Sequence, residues 1–336
     1  MKKFLSILLV TILSVSLLAA CSSKGASNQS ADSSKKEFSP KRDIEIVVPY
    51  SAGGGSDVIA RVLAKVIKDK NLVDQNVLVV NKPGGSGAIG NTYTYSKQGD
   101  PHTLMTWAPG QQAGTIINDA EVRLEDLTPI ATMALDSFLV AVAADSKYDS
   151  FEALVKAAKE NPNQVTVGGS GIGNEDHLLF HLINKHYGTK LKYVTFKSGG
   201  ETTAALLGGH VDVVITNPNE IMAQIKAGKV KALATSSEER LGKPLDQVPT
   251  FTELGQPEVQ VVMFRGFVGP PEMPEEAVKY WEGVLKKVSE SKAWQEDYIN
   301  KFNLDSVYKG SEESEKFFKD VLDQYLELHR EIGTLK

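Results

Sequence analysis

The chain has 336 residues, 41% hydrophobic and 24% charged, with a formal charge of −5; these values exclude disorder along its whole length and fit a folded protein of about two domains. Nucleic acid is a poor partner for so acidic a chain. Attraction to a small anion would have to come from local donors.

Met1-Lys2-Lys3 is a charged start, residues 4–17 are an apolar run, and Leu18-Ala19-Ala20-Cys21 closes it. The run is short for a membrane span and reads as a targeting segment. It resembles a bacterial lipoprotein signal, which implies a signal peptide over 1–20 and lipidation of Cys21 at the mature N-terminus. Cys21 is the only cysteine, so no internal disulfide can form. Loss of Lys2 and Lys3 with the signal takes the charge from −5 to −7. Residues 21–41, the lipidated N-terminus and the polar stretch after it, hold almost nothing to bury and read as a flexible tether. The globular part is then expected outside the cytoplasm, anchored to the cell membrane, where ATP, NAD and coenzyme A are poor ligands and no cofactor is expected.

Residues 44–50 read as a buried strand, and Ser51-Ala52-Gly53-Gly54-Gly55-Ser56-Asp57 as a loop into a helix with apolar rows at Val58, Val62, Val66 and Ile59, Leu63, Ile67. A glycine loop at a helix start collects unpaired N–H groups and the positive end of the helix dipole, an anion seat. Residues 76–80 are a second strand, followed by a turn in which Gly85, Gly87 and Gly90 match G-x-G-x-x-G. No acidic residue stands about 20 residues on to hold a ribose, so a tight turn with close helix packing is preferred to a dinucleotide site.

Residues 129–144 form an apolar run long for one strand, which can begin in one domain and end in another. A helix over 151–160 and a strand over 164–167 lead to Gly168-Gly169-Ser170-Gly171-Ile172-Gly173-Asn174 and a further helix, a second anion seat. His177 and His181 share a face of that helix but supply only two ligands, so no metal is expected. Strand, helix and strand come next over 193–196, 201–207 and 211–216, then a helix over 220–227 and a strand over 230–235. This alternation indicates an α/β fold with parallel-rich sheets. Residues 259–268 are a candidate return crossing, interrupted by Arg265, which pairs with either a ligand carboxylate or a structural acid. Two charged helices, 275–288 and 312–332, finish the chain.

Val47-Val48-Pro49-Tyr50 with Gly53-Gly54-Gly55-Ser56-Asp57, Asn81-Lys82-Pro83-Gly84-Gly85, Gly169-Ser170-Gly171 with His177, Ala205-Leu206-Leu207-Gly208-Gly209 with Val211-Asp212, and Val248-Pro249-Thr250 with Glu253-Leu254-Gly255 resemble the tripartite tricarboxylate transporter substrate-binding proteins, the TctC or Bug family. The resemblance runs from Asp43 to the C-terminal helices. It implies a two-lobed periplasmic-binding-protein fold of type II, with two crossing strands and each lobe a mixed sheet flanked by helices. Lobe 1 would comprise 42–136 and 259–336, and lobe 2 137–258. It implies that Tyr50, Ser51, Ala52, Gly54, Gly55, Ser56 and Asp57 meet Gly169, Ser170, Gly171 and Asn174 across the cleft around a carboxylate. Asn217 and Arg265 are candidates for its far carboxylates. Family members often carry aspartate where Thr216 stands, suited to an ammonium group, so citrate or a related di- or tricarboxylate without an amine is expected.

The function expected is capture without chemistry, the closed lobes being presented to the membrane subunits of a transporter by a monomer. A carboxylate sensor signalling to a membrane partner would share the same site. The rival class, an exported hydrolase using Ser51, Ser86 or Ser170, lacks a G-x-S-x-G elbow and an evident base.

Overall fold

In the computed structural model, which describes residues 38–335, Ile44–Val48 forms β1 and Gly55–Asp69 forms α1. Ile59, Leu63, Val66 and Ile67 recur at helical spacing and are buried against the sheet, which fixes the face α1 presents. β2 (Val77–Asn81) and β3 (Thr103–Trp107) run parallel to β1 on its two sides, joined through α2 (Ala88–Tyr95). Gly90 carries out the close packing expected of the second glycine turn: a Cβ there would lie 2.6 Å from Pro49 Cβ. α3 (Pro109–Ile117) comes next, then β4 (Thr128–Asp136).

The long apolar run divides at Ser137 and Phe138. β4 belongs to the first sheet, whereas β5 (Leu139–Ala143) belongs to the second. The second sheet continues through α4 (Phe151–Glu160), β6 (Thr166–Ser170), α5 (Glu175–Tyr187), β7 (Lys192–Phe196), α6 (Gly199–Leu207), β8 (Val213–Thr216), α7 (Pro218–Lys226) and β9 (Val230–Thr235). The chain returns in β10 (Met263–Gly269), antiparallel to both β3 and β4. The return strand is shorter than the apolar run predicts, since Val259 and Val261 are buried without strand pairing. α8 (Glu275–Ser289), a short helix at Lys292–Trp294 with a π-helical turn at Gln295–Asn300, β11 (Asp305–Lys309) and α9 (Ser311–Glu331) complete the first lobe.

The six-stranded sheet has the order β11-β4-β10-β3-β1-β2 and the five-stranded one β7-β6-β8-β5-β9. The strands that run parallel, β1 to β3 in the first sheet and β6 to β8 in the second, leave their C-terminal ends, and the loops attached to them, on one side of each sheet, where α/β proteins place their ligands. Further segments depart from the sequence-based expectation. The tether expected to reach residue 41 ends earlier among the described residues: the Phe38 ring packs edge-on against Tyr280 and His102, at 5.3 and 5.7 Å, and the Lys41 N–H donates to His102 Nε2. β11 and α3 carry too few apolar residues in sequence to announce themselves. Cys21 and the signal segment over 1–20 lie outside the described residues, as does the tether over 21–37.

The two crossing strands are tied by an ion pair. Arg265 on β10 donates through Nε and Nη2 to Oδ2 of Asp136 at the end of β4, and both side chains are nearly buried, 6% and 1% exposed. Removing one partner leaves an uncompensated charge in a low-dielectric site. Asp136→Ala is expected to cost about 3–5 kcal/mol of stability. Asp136→Leu with Arg265→Leu should cost less, and urea unfolding of the two variants measures the difference.

Candidate functional site

A cavity of about 660 Å³ lies between the lobes and is bordered by loops at the C-terminal ends of β1, β3, β6 and β8. Tyr50, Ser51, Ala52, Gly54, Gly55, Ser56, Ser170, Asn174, Asn217 and Arg265 all line it. Asp57, Gly169 and Gly171 do not.

The first wall is built by the loop into α1. Gly53 turns the chain at φ +89°, a conformation that only glycine adopts without strain, and its N–H donates to Asp57 Oδ2 at 2.9 Å. The same carboxylate accepts from Arg61 Nε at 2.8 Å and from Asn81 Nδ2 at 2.9 Å. Asp57 therefore organises the loop from behind instead of facing the cavity, and the N–H groups of Gly55 and Ser56 are left as donors at the helix start. Beneath them lies Arg265: a Cβ on Gly55 would stand 2.7 Å from its Nη2. The structural acid predicted for Arg265 is Asp136, yet the guanidinium also borders the cavity, with donors beyond the two that Asp136 accepts. Burial would lower its pKa, and Asp136 more than offsets this, so the group stays charged.

The second wall differs from expectation. In the loop after β6 most N–H groups are already occupied: that of Ser170 donates to Asp176 Oδ2, that of Gly171 to Phe196 O and that of Gly173 to His177 Nδ1. Gly169 sits under Tyr193 and Asp176, with no room for a side chain. Burial, with a contribution from Glu175, pushes the Asp176 carboxyl up to about 7 against the pull of the Ser170 N–H. The open donors of this lobe belong instead to the start of α6. There Ser198 accepts the Glu201 N–H, Glu201 accepts the Lys197 N–H, and Gly199 and Gly200 face the cavity with N–H groups that no acceptor takes among the described residues. Ser198-Gly199-Gly200-Glu201 is an S-x-x-E capping signature in a glycine setting, a signal present in the sequence.

Two acidic cavity residues lie outside the sequence-based site. Glu175, at the first position of α5, accepts the Gly110 N–H of α3 at 2.7 Å and so joins the lobes directly. Glu220, in the first turn of α7, accepts from Thr216 Oγ1 at 2.8 Å. The carboxylate missing at position 216 is thus supplied one turn later, through the Thr216 hydroxyl, which removes the ground for excluding an amine. Burial raises the pKa of both glutamates. The backbone bonds and Arg265 pull that of Glu175 back, and the Thr216 hydroxyl and Arg265 that of Glu220. Asn217 donates to Ser137 O at 3.0 Å, fixing the start of α7 to the first crossing. His177 and His181 gather no third ligand: among the described residues no group of three metal-binding side chains occurs, and His181 faces Glu331 at 3.7 Å.

Burial would raise the Asp57 pKa, but the bonds from Arg61, the Gly53 N–H and Asn81 outweigh it and hold the carboxyl below its ordinary value. A depressed folded-state pKa gives stability that is complete above the unfolded value and lost as pH falls through the folded one. Asp57→Asn should therefore be less stable than the parent by about 1–3 kcal/mol near neutral pH. The gap should begin to shrink below about pH 4 and close as pH falls through the depressed folded value, where the parent carboxyl also protonates, as urea unfolding across the acid range would record.

Comparison with known proteins agrees with this architecture. The TctC family, the tripartite tricarboxylate transporter family receptor, matches residues 59–334. The chain is 28% identical to protein BugT of Bordetella pertussis over 299 residues, 88% of this chain and 90% of BugT. It is 30% identical to the UPF0065 protein in the gbd 5'region of Cupriavidus necator over 323 residues, 95% of this chain and 96% of that protein. A TctC solute binding protein from Polaromonas superposes with a TM-score of 0.69 at 28% identity, covering 87% of this chain and 99% of that one. MatC from Rhodopseudomonas palustris, solved with bound malate, shares the fold with a TM-score of 0.74 at 20% identity over 86% of this chain and 99% of its own. No helix among the described residues is long and apolar enough to cross a membrane. The chain belongs to the TctC/Bug family of extracytoplasmic solute-binding proteins, and it is a receptor rather than an enzyme.

Proposed function

We propose that this protein captures a small carboxylate outside the cytoplasm and delivers it to the membrane subunits of a tripartite tricarboxylate transporter, acting as a monomer held to the membrane by a lipid on Cys21. The observation that carries the reading is the pair of open donor sets on one cavity: Gly55 and Ser56 at the start of α1, Gly199 and Gly200 at the start of α6. Each set adds unpaired N–H groups to the positive end of a helix dipole, and together they suit one anion held between two lobes. Arg265, whose charge Asp136 pairs, adds further guanidinium donors behind the first set. The malate bound to MatC, a fold neighbour, is of the chemical class proposed.

Closure comes from differential contact. A carboxylate in the open form touches one donor set, whereas in the closed form it touches both, so the solute favours closure by the free energy of the second set. Citrate is the narrowest candidate from sequence, and it would bring three negative charges towards Glu175 and Glu220. Acids with fewer charges fit this cavity better.

Gly200→Pro removes one donor while keeping the helix start intact, because proline is tolerated in the first helical turn and no neighbour crowds the position. Thermal shift with a panel of small carboxylates should show a stabilising acid in the parent, worth about 2.7 kcal/mol at 100 times its Kd. The variant should keep the ligand-free melting temperature and bind that acid about tenfold more weakly. Equal binding by the variant would remove the α6 start from the site.

A further inference from the structure

We propose that His329, in the last turn of α9, clasps the cavity loop of the opposite lobe only while its ring is uncharged, so that mild acid loosens the closed form and releases the solute. The inference rests on the carboxylate reading and adds the regulation of that same site. α9 packs on β4 of the first sheet, yet its end reaches the second lobe. There the His329 ring is fully buried, and a Cβ on Gly173, in the loop after β6, would stand 3.1 Å from its Cε1. That loop carries Ser170 and Asn174 to the cavity wall. A ring from one lobe therefore lies on the loop by which the other lobe borders the solute.

The seat suits a neutral ring. Nδ1 meets Thr334 Oγ1, in the turn after α9, at 2.7 Å, while Nε2 is buried and meets no partner among the described residues. An imidazolium donates from both nitrogens, so its Nε2 proton would be a buried donor without an acceptor. A second imidazole holds the loop from its own side: His177 Nδ1 accepts the Gly173 N–H at 3.1 Å, a bond that a proton on that nitrogen would remove. Two histidines thus grip Gly173, one from each lobe, and charge on either one loosens the grip.

The surrounding charges do not relieve a proton on His329. On α5 it faces His177, whose charge would repel its own. Asp176 on that helix is taken up by the Ser170 and His177 N–H groups, and Glu175 by the Gly110 N–H. On α9 itself Glu331 meets Lys185 and His181, Arg330 is exposed, and Tyr325 donates to Val262 O. α3 and residues 259–262 bring no titratable side chain, and β4 and β11 meet α9 near Ser314, about four turns away. Burial, with a contribution from His177, lowers the His329 pKa to about 4. Parting of the lobes withdraws Gly173 and His177 and returns the ring to water, where it titrates near ~6.5 and the carbonyl end of α9 favours its charge. Between those two values the closed form binds fewer protons than the open one. Its advantage is therefore complete above about pH 6.5 and lost as pH falls towards 4. His181 works the other way, since its charge would pair with Glu331, but that pair is solvated and contributes little.

The test is calorimetric titration of the purified protein at about pH 7.5 and 5.5, either side of the ordinary histidine value. Malate, glutarate, adipate, citrate and glutamate are the probes, and the acid that binds most tightly at the higher pH is carried forward. Between the two pH values the parent should lose about tenfold more affinity than His329→Gln, which sets an uncharged amide against Thr334. Parent and variant are compared because Asp176, pushed up to about 7, and the acid's own carboxyls titrate in the same range. Histidine NMR of the parent reads the seat directly and serves should the variant not fold: the His329 midpoint is expected near ~6.5 without the acid and below about 5 with it. Parallel pH profiles of parent and variant, or a His329 midpoint that binding leaves unmoved, overturn the inference while leaving the carboxylate reading standing. Absence of binding by every acid at the higher pH overturns the carboxylate reading itself, and the inference falls with it.

Discussion

Three glycines give this cleft its chemistry by having no Cβ. Gly55 lets the Arg265 guanidinium lie against the start of α1, Gly110 admits the Glu175 carboxylate at the start of α3, and Gly199 admits Glu220 at the start of α6. A methyl group at any of the three would displace a charged side chain from a place where a helix dipole acts on it. The distribution of charge in the cavity is consequently set by backbone geometry more than by the net charge of the chain. An acidic protein can offer an anion seat because donors and acceptors are sorted onto different walls.

The crossing strands hold those walls in register. Asp136 closes β4 and Arg265 sits within β10, so the ion pair between them stands where the chain leaves the first sheet and where it comes back. The guanidinium faces both the strand junction and the cavity, which links the position of the lobes to occupancy of the site. Glu175 adds a second link by accepting the Gly110 N–H from the opposite lobe, and α9 adds a third at its far end, where Glu331 meets Lys185 at 2.8 Å. These contacts differ in kind. The first is buried and resists change, whereas the Glu331–Lys185 pair is solvated and contributes little to holding any one arrangement.

Much of the architecture is legible in the amino-acid order, because apolar periodicity marks the strands and helices and the glycine loops mark the turns between them. The first donor set is visible in this way, and so is the switch of sheets inside residues 129–144. Composition places the second donor set in the loop after β6, since Gly169-Ser170-Gly171 has the make-up of an anion loop. It does not reveal that Asp176 and His177 already take up that loop's N–H groups, a matter of side-chain direction after the turn. Glu175 and Glu220 escape a reading of the sequence for a related reason. Acidic residues in a first helical turn are common simply because they complement the dipole, and only the tertiary fold turns these two into the cavity. Asp57 illustrates the converse: a residue inside the right motif whose carboxylate points into the loop it supports.

One solute spanning the two helix starts would be visible in a crystal structure of the protein with a tightly bound acid. Carboxylate oxygens are expected at the Gly55 or Ser56 N–H groups on one side and at the Gly199 or Gly200 N–H groups on the other, either bonded to them at about 3 Å or joined to them through one bridging water. A solute lodged outside this cavity, or one whose carboxylates turn away from both helix starts, would contradict the two-sided seat.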